Sequence, residues 1–198
     1  GYGVEEIITG GCCGALTDFE ENVFIVPYKA LRDEGTSYHY MAPSRFVEIN
    51  KKALNAIKKT ISEHGLPYRE IITWTTDGFY RETKAMVEYR KEEGCSVVEM
   101  ECAALAACAQ LRGAIWGEIW FTADTLADVD KYDERNWGDD SFEYALELAG
   151  NPSERYMIGD NLKDDVHGSK ACGFKTVFFD LRGNRADDKC DYAMESAV

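Results

Sequence analysis

Between residues 5 and 124, short apolar runs rich in β-branched residues alternate with segments whose apolar residues recur at helical spacing. No other feature of the chain narrows its fold so far, because strands and helices in alternation pack as an α/β sheet flanked by helices. "EEIITGGCCGAL" reads as a strand running into a glycine-rich turn at Gly10, Gly11 and Gly14, and "VFIVPYKAL" as a strand that Pro27 closes. In "PSRFVEINKKALNAIKKTISEHG" the spacing of Phe46, Ile49, Leu54, Ile57 and Ile61 predicts an amphipathic helix stopped at Gly65. "REIITWTTDGFY", "CSVVEME" and "AIWGEIWFTAD" predict further strands, and "KAMVEYRKEEG" a helix. "CAALAACAQLRG" predicts an alanine-rich helix ending at Gly113. The sheet is expected to be at least partly parallel, the middle of three layers.

The vocabulary changes after residue 137. "DDSFEYALELAG" and "DVHGSKACG" read as helices, "RYMIGD" and "KTVFFD" as strands, together a second, small Rossmann-like strand-helix-strand unit. The expected division is therefore 1–137 and 138–198.

Among the 198 residues 45% are hydrophobic and 29% charged, which suits a globular core with a solvated surface. The net charge of −14 argues against nucleic acid or an anionic membrane as partner and favours a small-molecule substrate. Seven cysteines form an odd set that includes the vicinal pair Cys12 and Cys13, a pattern of reduced thiols in a cytoplasmic protein rather than of disulfides. Neither an apolar run of membrane-spanning length nor a signal pattern occurs.

"VVEMECAALAACAQ" places Glu99 and Glu101 around Met100 where a strand gives way to the alanine helix. Carboxylates there can serve the helix N-terminus, or face the crevice at the strand ends where α/β proteins bind ligands. Period 2 points Glu99 and Glu101 to one side and Met100 to the other, unless a turn gathers all three. A carboxylate at such a place can accept both hydrogen bonds of vicinal sugar hydroxyls, with a thioether against the sugar's apolar face.

"VVEMECAA" resembles the ribose-binding signature of the purine and uridine nucleoside phosphorylase family. "GGCCGAL" is similar to that family's glycine-rich phosphate loop, and "RDEGTSYHYMAPSR" to the segment after its next strand. "TWTTDGFYRET" resembles the turn over the base, and "FTADTLADVDKYDERNW" the stretch that carries an acid near the base. The resemblance implies that residues 1–137 are a partial nucleoside phosphorylase-like domain, with relatives beginning before the position of Gly1. It implies that Glu101 binds ribose hydroxyls, with Met100 on the ring and Glu99 supporting. It also implies Phe79 against the base, Gly11 and Cys12 at the phosphate, and Asp124 as the acid serving the leaving base. From the residues alone, Phe79 could equally be a core aromatic, and a helix cap ahead of "TLADVD" is the competing, lesser explanation for Asp124. The implied reaction is phosphorolysis of a nucleoside to free base and ribose 1-phosphate, with phosphate as co-substrate and no cofactor. A homo-oligomer is implied too; His39, in "RDEGTSYHY", is a candidate for its interface or an ordinary satisfied histidine. The base-reading residues of uridine phosphorylases are out of register in "RETKAMVE", so purine or pyrimidine stays open.

"YMIGDNLKDDVHGSKACGFKTVFFD" and "CDYAMES" resemble the C-terminal part of haloacid-dehalogenase-like hydrolases. That resemblance implies Mg²⁺ held by Asp160 with Asp165 in support, although both acids could equally cap helices or lie at the surface. The family's Asp-x-Asp-x-Thr nucleophile has no counterpart, since Asp128 and Asp130 lack the following Thr. A Mg²⁺-dependent phosphohydrolase and an inactive truncated or fused protein are the alternative readings.

Overall fold

A computed structural model describes residues 5–20, 23–125, 156–159, 170, 175–180 and 190–195. The chain divides into two compact units, Gly1–Tyr144 and Ala145–Val198.

The first unit contains strands β1 (Glu6–Ala15), β2 (Phe24–Asp33), β3 (Phe46–Glu48), β4 (Tyr68–Thr76), β5 (Cys95–Glu99) and β6 (Ile115–Thr125). Its helices are α1 (Lys51–Glu63), α2 (Lys84–Glu92) and α3 (Cys102–Arg112), with 3₁₀ turns at Thr36–His39 and Phe79–Arg81. The strands form one mixed sheet in the order β3-β2-β4-β5-β1-β6. Strands β2, β4 and β5 are parallel, whereas β1 and β6 are parallel to each other and run the opposite way. A pairing of Ile25 with Trp120 joins β2 to β6, so the sheet curls back on itself. Arg32, Trp74, Leu16, Ile25, Leu31 and Val97 are among the largest fully buried side chains.

Three local expectations are corrected. The glycine-rich stretch is not a turn: β1 continues through Gly10, Gly11 and Gly14, paired with β6 from Glu6 to Ala15, with a register shift only between Cys13 and Gly14. Pro27 does not close β2, which runs on to Asp33; a register shift against β4 between Pro27 and Lys29 accommodates the missing N–H. The predicted helix of residues 43–65 begins only at Lys51, because Asn50 caps it by accepting from the Lys52 and Ala53 N–H groups. Phe46 instead lies in β3, antiparallel to β2. Helix α1 then buries Ala53, Leu54, Ile57 and Ile61, and Gly65 takes φ +69° after it.

The loop after β2 is built around buried Arg32. Its Nε donates to Ser37 Oγ at 2.8 Å and its Nη1 to the Ala42 carbonyl at 2.8 Å and Ser44 Oγ at 2.7 Å, while the guanidinium stacks on Tyr38. Asp77, after β4, accepts from the Gly35 N–H at 3.1 Å and ties two loops together at one end of the sheet.

In the second unit β7 (Tyr156–Gly159), β8 (Lys175–Asp180) and β9 (Tyr192–Glu195) form a parallel sheet in that order. The expected strands in "RYMIGD" and "KTVFFD" are β7 and β8. Asp160, Asp165 and the helix expected in "DDSFEYALELAG" lie outside the described residues, and of the helix expected in "DVHGSKACG" only Lys170, which is helical, is described.

Candidate active site

Strand β5 ends at Glu99 and helix α3 begins at Cys102, so the two residues between them decide what the turn presents. Glu99 is buried and Glu101 exposed, so the two acids do not share a side as strict alternation would have them. Alternation stops where the strand does.

The Glu99 carboxylate gathers four protein donors. Its Oε1 accepts from Thr73 Oγ1 at 3.0 Å and Thr75 Oγ1 at 2.6 Å, and its Oε2 from the backbone N–H groups of Glu101 at 2.7 Å and Cys102 at 2.6 Å. Thr75 Oγ1 in turn accepts from the Ala103 N–H at 3.0 Å. The first amides of α3, which a helix cannot satisfy internally, are thus capped by the strands behind it rather than by the Glu101 side chain. Burial pushes the Glu99 carboxyl up to about 7, although the bonds from Thr75, Cys102, Glu101 and Thr73 oppose the shift.

Glu99 is thus held inside by the turn, while Met100 and Glu101 are exposed. Phe79 sits in the turn that follows β4, the parallel neighbour of β5, and so leaves the same end of the sheet. It is 49% exposed and stacks on Tyr80 with ring centroids 3.8 Å apart, which sets aside the core-aromatic alternative. On the other side of β5, Val98 pairs with Gly14 and Gly14 with Asp124. Three strands thereby bring the backbones of Asp124, Gly14 and Val98 abreast, one residue from Glu99. Asp124 lies within β6, not at a helix start, and its side chain is outside the described part of the structure. Gly11 and Cys12, both exposed, pair with Trp120 and Phe121. Because β1 is antiparallel to β5, these residues extend past the point where β5 stops. His39, last in the 3₁₀ turn Thr36–His39, is exposed.

Glu118 was not singled out from sequence. It is a buried acid on β6, opposite Thr9 on β1, with Trp116 and Trp120 also buried two residues to either side. The signal was an acid at the inward phase of "AIWGEIWFTAD". Burial, followed by the nearby charge of Glu99, pushes its carboxyl up to about 7, with Thr9 and Trp120 opposing. Even so, Oε2 of Glu118 and Oγ1 of Thr9 are buried without a hydrogen-bond partner. The Cys102 thiol faces the same acids: burial, then the charges of Glu99 and Glu118, push it well above the usual thiol range. No group of three or more potential metal ligands occurs among the described residues, and none of the described helices is long and apolar enough to cross a membrane.

The family model described as the phosphorylase superfamily matches residues 1–156, and one described as HAD-hydrolase-like matches residues 139–195. The uncharacterized protein R802 of Acanthamoeba polyphaga mimivirus is 29% identical over 140 residues, covering 70% of this chain and 53% of its own length. A DeoD-type purine nucleoside phosphorylase of Shewanella denitrificans is 30% identical over 115 residues, covering 57% and 49%. The chain spans about half the length of these curated relatives. Among solved structures, the uridine phosphorylase of Vibrio fischeri superposes with a TM-score of 0.63 at 24% identity, covering 75% of this chain and 62% of that one, and supports the fold.

Proposed function

The chain belongs to the phosphorylase superfamily, and from that premise we propose that it is a nucleoside phosphorylase that cleaves an N-glycosidic bond to give free base and ribose 1-phosphate. The observation that carries the reading is the β5–α3 turn: four donors hold Glu99 inside, and Met100 and Glu101 are left exposed at the end of the sheet where the Phe79 turn also lies. Glu101 would accept hydrogen bonds from the ribose hydroxyls, Met100 would pack on the sugar and Phe79 on the base. As the C1′–N bond breaks, positive charge develops on the sugar and negative charge on the base. A phosphate oxygen bonds to C1′, and the base leaves with a proton for which Asp124 is the proposed donor. Gly11 and Cys12 are the proposed phosphate neighbours, and the working form is proposed to be a homo-oligomer.

The test is to incubate the protein with inosine, adenosine and uridine, with and without inorganic phosphate, and to follow free base and ribose 1-phosphate. Phosphate-dependent release that Glu101→Ala abolishes supports the proposal. Release at equal rates without phosphate would make water the acceptor and overturn phosphorolysis, and release unaffected by Glu101→Ala would overturn the ribose assignment.

The match over residues 139–195 favours a second reading, Mg²⁺-dependent phosphoryl hydrolysis. Asp160 and Asp165, its proposed metal ligands, lie outside the described residues. Hydrolysis of p-nitrophenyl phosphate that requires Mg²⁺ and is lost in Asp160→Ala would support it.

A further inference from the structure

Helix α2 follows the Phe79 turn directly, and a helix of nine residues takes its place from packing rather than from its own bonds. Two of its side chains are buried, Val87 and Arg90. Val87, with Met86 partly buried beside it, joins the core cluster around Leu16, Leu31 and Trp74. Apolar packing thus holds α2 near its start, and Arg90 holds it near its end. The Arg90 guanidinium donates from Nη2 to Asp33 Oδ2 at 2.7 Å and from Nη1 to Glu93 Oε2 at 2.7 Å. Asp33 ends β2 and accepts on the same oxygen from Trp74 Nε1 of β4 at 2.9 Å. Glu93, just past α2, is gripped from its other side by Arg45, whose Nε and Nη2 reach its two oxygens at 2.7 and 2.6 Å. The guanidinium also lies over the rings of Trp74 and Tyr89, 5.4 and 5.0 Å from their centroids. Two cations and two anions therefore alternate from Arg45 to Asp33 and join the end of α2 to β2, β4 and the residue before β3.

Stability alone does not account for a charge at this place. Arg90 Nε is buried without a partner, and the desolvation of a buried ion pair offsets much of its attraction, so an apolar side chain of similar size would dock the helix about as well. What an apolar contact lacks is direction. A planar fork bonded at both ends fixes the angle of α2, where a single apolar contact would let it pivot. The turn inherits that angle through an unbroken run of backbone bonds. The Val87 N–H donates to the Thr83 carbonyl at 2.9 Å, Thr83 to Arg81 at 2.7 Å, Glu82 to Phe79 at 3.1 Å and Arg81 to Gly78 at 2.7 Å. We propose that Arg90 is a positioning residue for the turn over the base: it fixes the direction of α2 and, through it, the place of the Phe79 ring. Arg90 acts through the helix and touches no substrate. The consequence for binding rests on the base role proposed for Phe79; the anchoring of the turn does not.

Arg90→Met removes both ion pairs and keeps the length of the side chain, whereas Arg90→Lys keeps the charge but offers one ammonium to two acceptors. Amide hydrogen exchange is followed along the chain, and calorimetry measures binding of inosine, adenosine and uridine, of their free bases, and of ribose 1-phosphate. Exchange at residues 78–83 should quicken several-fold in Arg90→Met and less in Arg90→Lys, with exchange at 99–103 as in the parent. Affinity for nucleosides and free bases should fall several-fold while that for ribose 1-phosphate holds, because Met100 and Glu101 leave from a different strand end. A merely destabilised fold would weaken both. An equal loss of ribose 1-phosphate affinity, or unchanged exchange at 78–83, overturns the proposal. The unmodified protein gives a reading that does not depend on how the variants fold: the Arg90 Nη protons should exchange slowly enough to be resolved by NMR, and exchange at the rate of a solvated guanidinium refutes the anchor. Should the parent bind no nucleoside, or Phe79→Ala bind nucleosides as well as the parent, the base reading fails, and exchange at residues 78–83 and at the Arg90 side chain decides the proposal alone.

Discussion

Replacing Glu99 by alanine or glutamine should separate the geometric from the electrostatic role of the β5–α3 clamp. Alanine strands four donors, but two of them are the hydroxyls of Thr73 and Thr75, which can rotate to other acceptors. The amides of Glu101 and Cys102 cannot. At about 1–3 kcal/mol for each of the two buried amides left unpaired, Glu99→Ala should lose about 2–6 kcal/mol at a pH where the parent carboxyl is protonated. A second effect opposes this. Glu99 has a raised folded-state value of about 7 against 4.5 for an ordinary glutamate, so its stabilising contribution is complete below the unfolded value and is lost as pH rises through the folded one. The shift corresponds to about 3 kcal/mol for an isolated group, and to a shared quantity here because Glu118 titrates alongside. Glu99→Ala should therefore look most damaging below about pH 4.5; about 2 of the ~3 kcal/mol is already lost by pH 6, and the remaining contribution, about 1 kcal/mol, is lost by pH 8.5, where the variant should look least damaging. Glutamine can turn its oxygen to the two amides and its NH₂ to the threonine hydroxyls, of which Thr75 already accepts from Ala103. It should remain within about 1 kcal/mol of the parent near pH 6 and exceed it near pH 8.5. Urea unfolding at both pH values measures this, with the slope m checked for constancy. If Glu99→Ala unfolded at the parent's midpoint near pH 6, or if glutamine were as damaging as alanine at both pH values, the clamp would not be what holds the turn.

Two further predictions concern the frame around the site. Gly117→Ala would put a methyl group 2.8 Å from Ala53 Cβ and 3.0 Å from Ile57 Cδ1, and should destabilise by about 1–3 kcal/mol, with part of the loss recovered by Ala53→Gly, as thermal unfolding of the single and double variants will show. Arg32→Lys should loosen the 34–45 loop although charge is kept, because one ammonium cannot span Ser37, Ala42 and Ser44; faster amide exchange in that loop with little change in β4 is the expected result, and unchanged exchange would count against it.

What could be read from the residues follows from how local each determinant is. The β-branched runs of β4 and β5 and the alanine run of α3 carry their structure in their own periodicity, and Gly65 and Gly113 end their helices with φ of +69° and +68°. Phe46 defeated the same reasoning: in β3 it falls at the helical spacing that continues into α1, and only the Asn50 cap separates the two. Pro27 and the glycines of β1 were read as stops because both usually are, yet pairing with β4 and β6 carries the strands through them. In the site, the Glu-Met-Glu run was visible but the division of labour within it was not. That division depends on Thr73 and Thr75, which lie 26 and 24 residues from Glu99 in sequence.

Glu118 lies further still from local inference, since what makes it unusual is the company that register imposes. Its neighbour Thr9 comes from the parallel β1 strand, which lies between β6 and the β5 strand that carries Glu99. The burial of "GEIW" suggests an inward acid, but not which residues of a strand more than a hundred positions away will face it. Glu99, with a value near 7, holds the α3 amides as an anion in part of the molecules at neutral pH and as a neutral acceptor in the rest. The four donors favour the anion, so the turn bearing Glu101 is held most firmly, by charge-assisted bonds, in the ionised form.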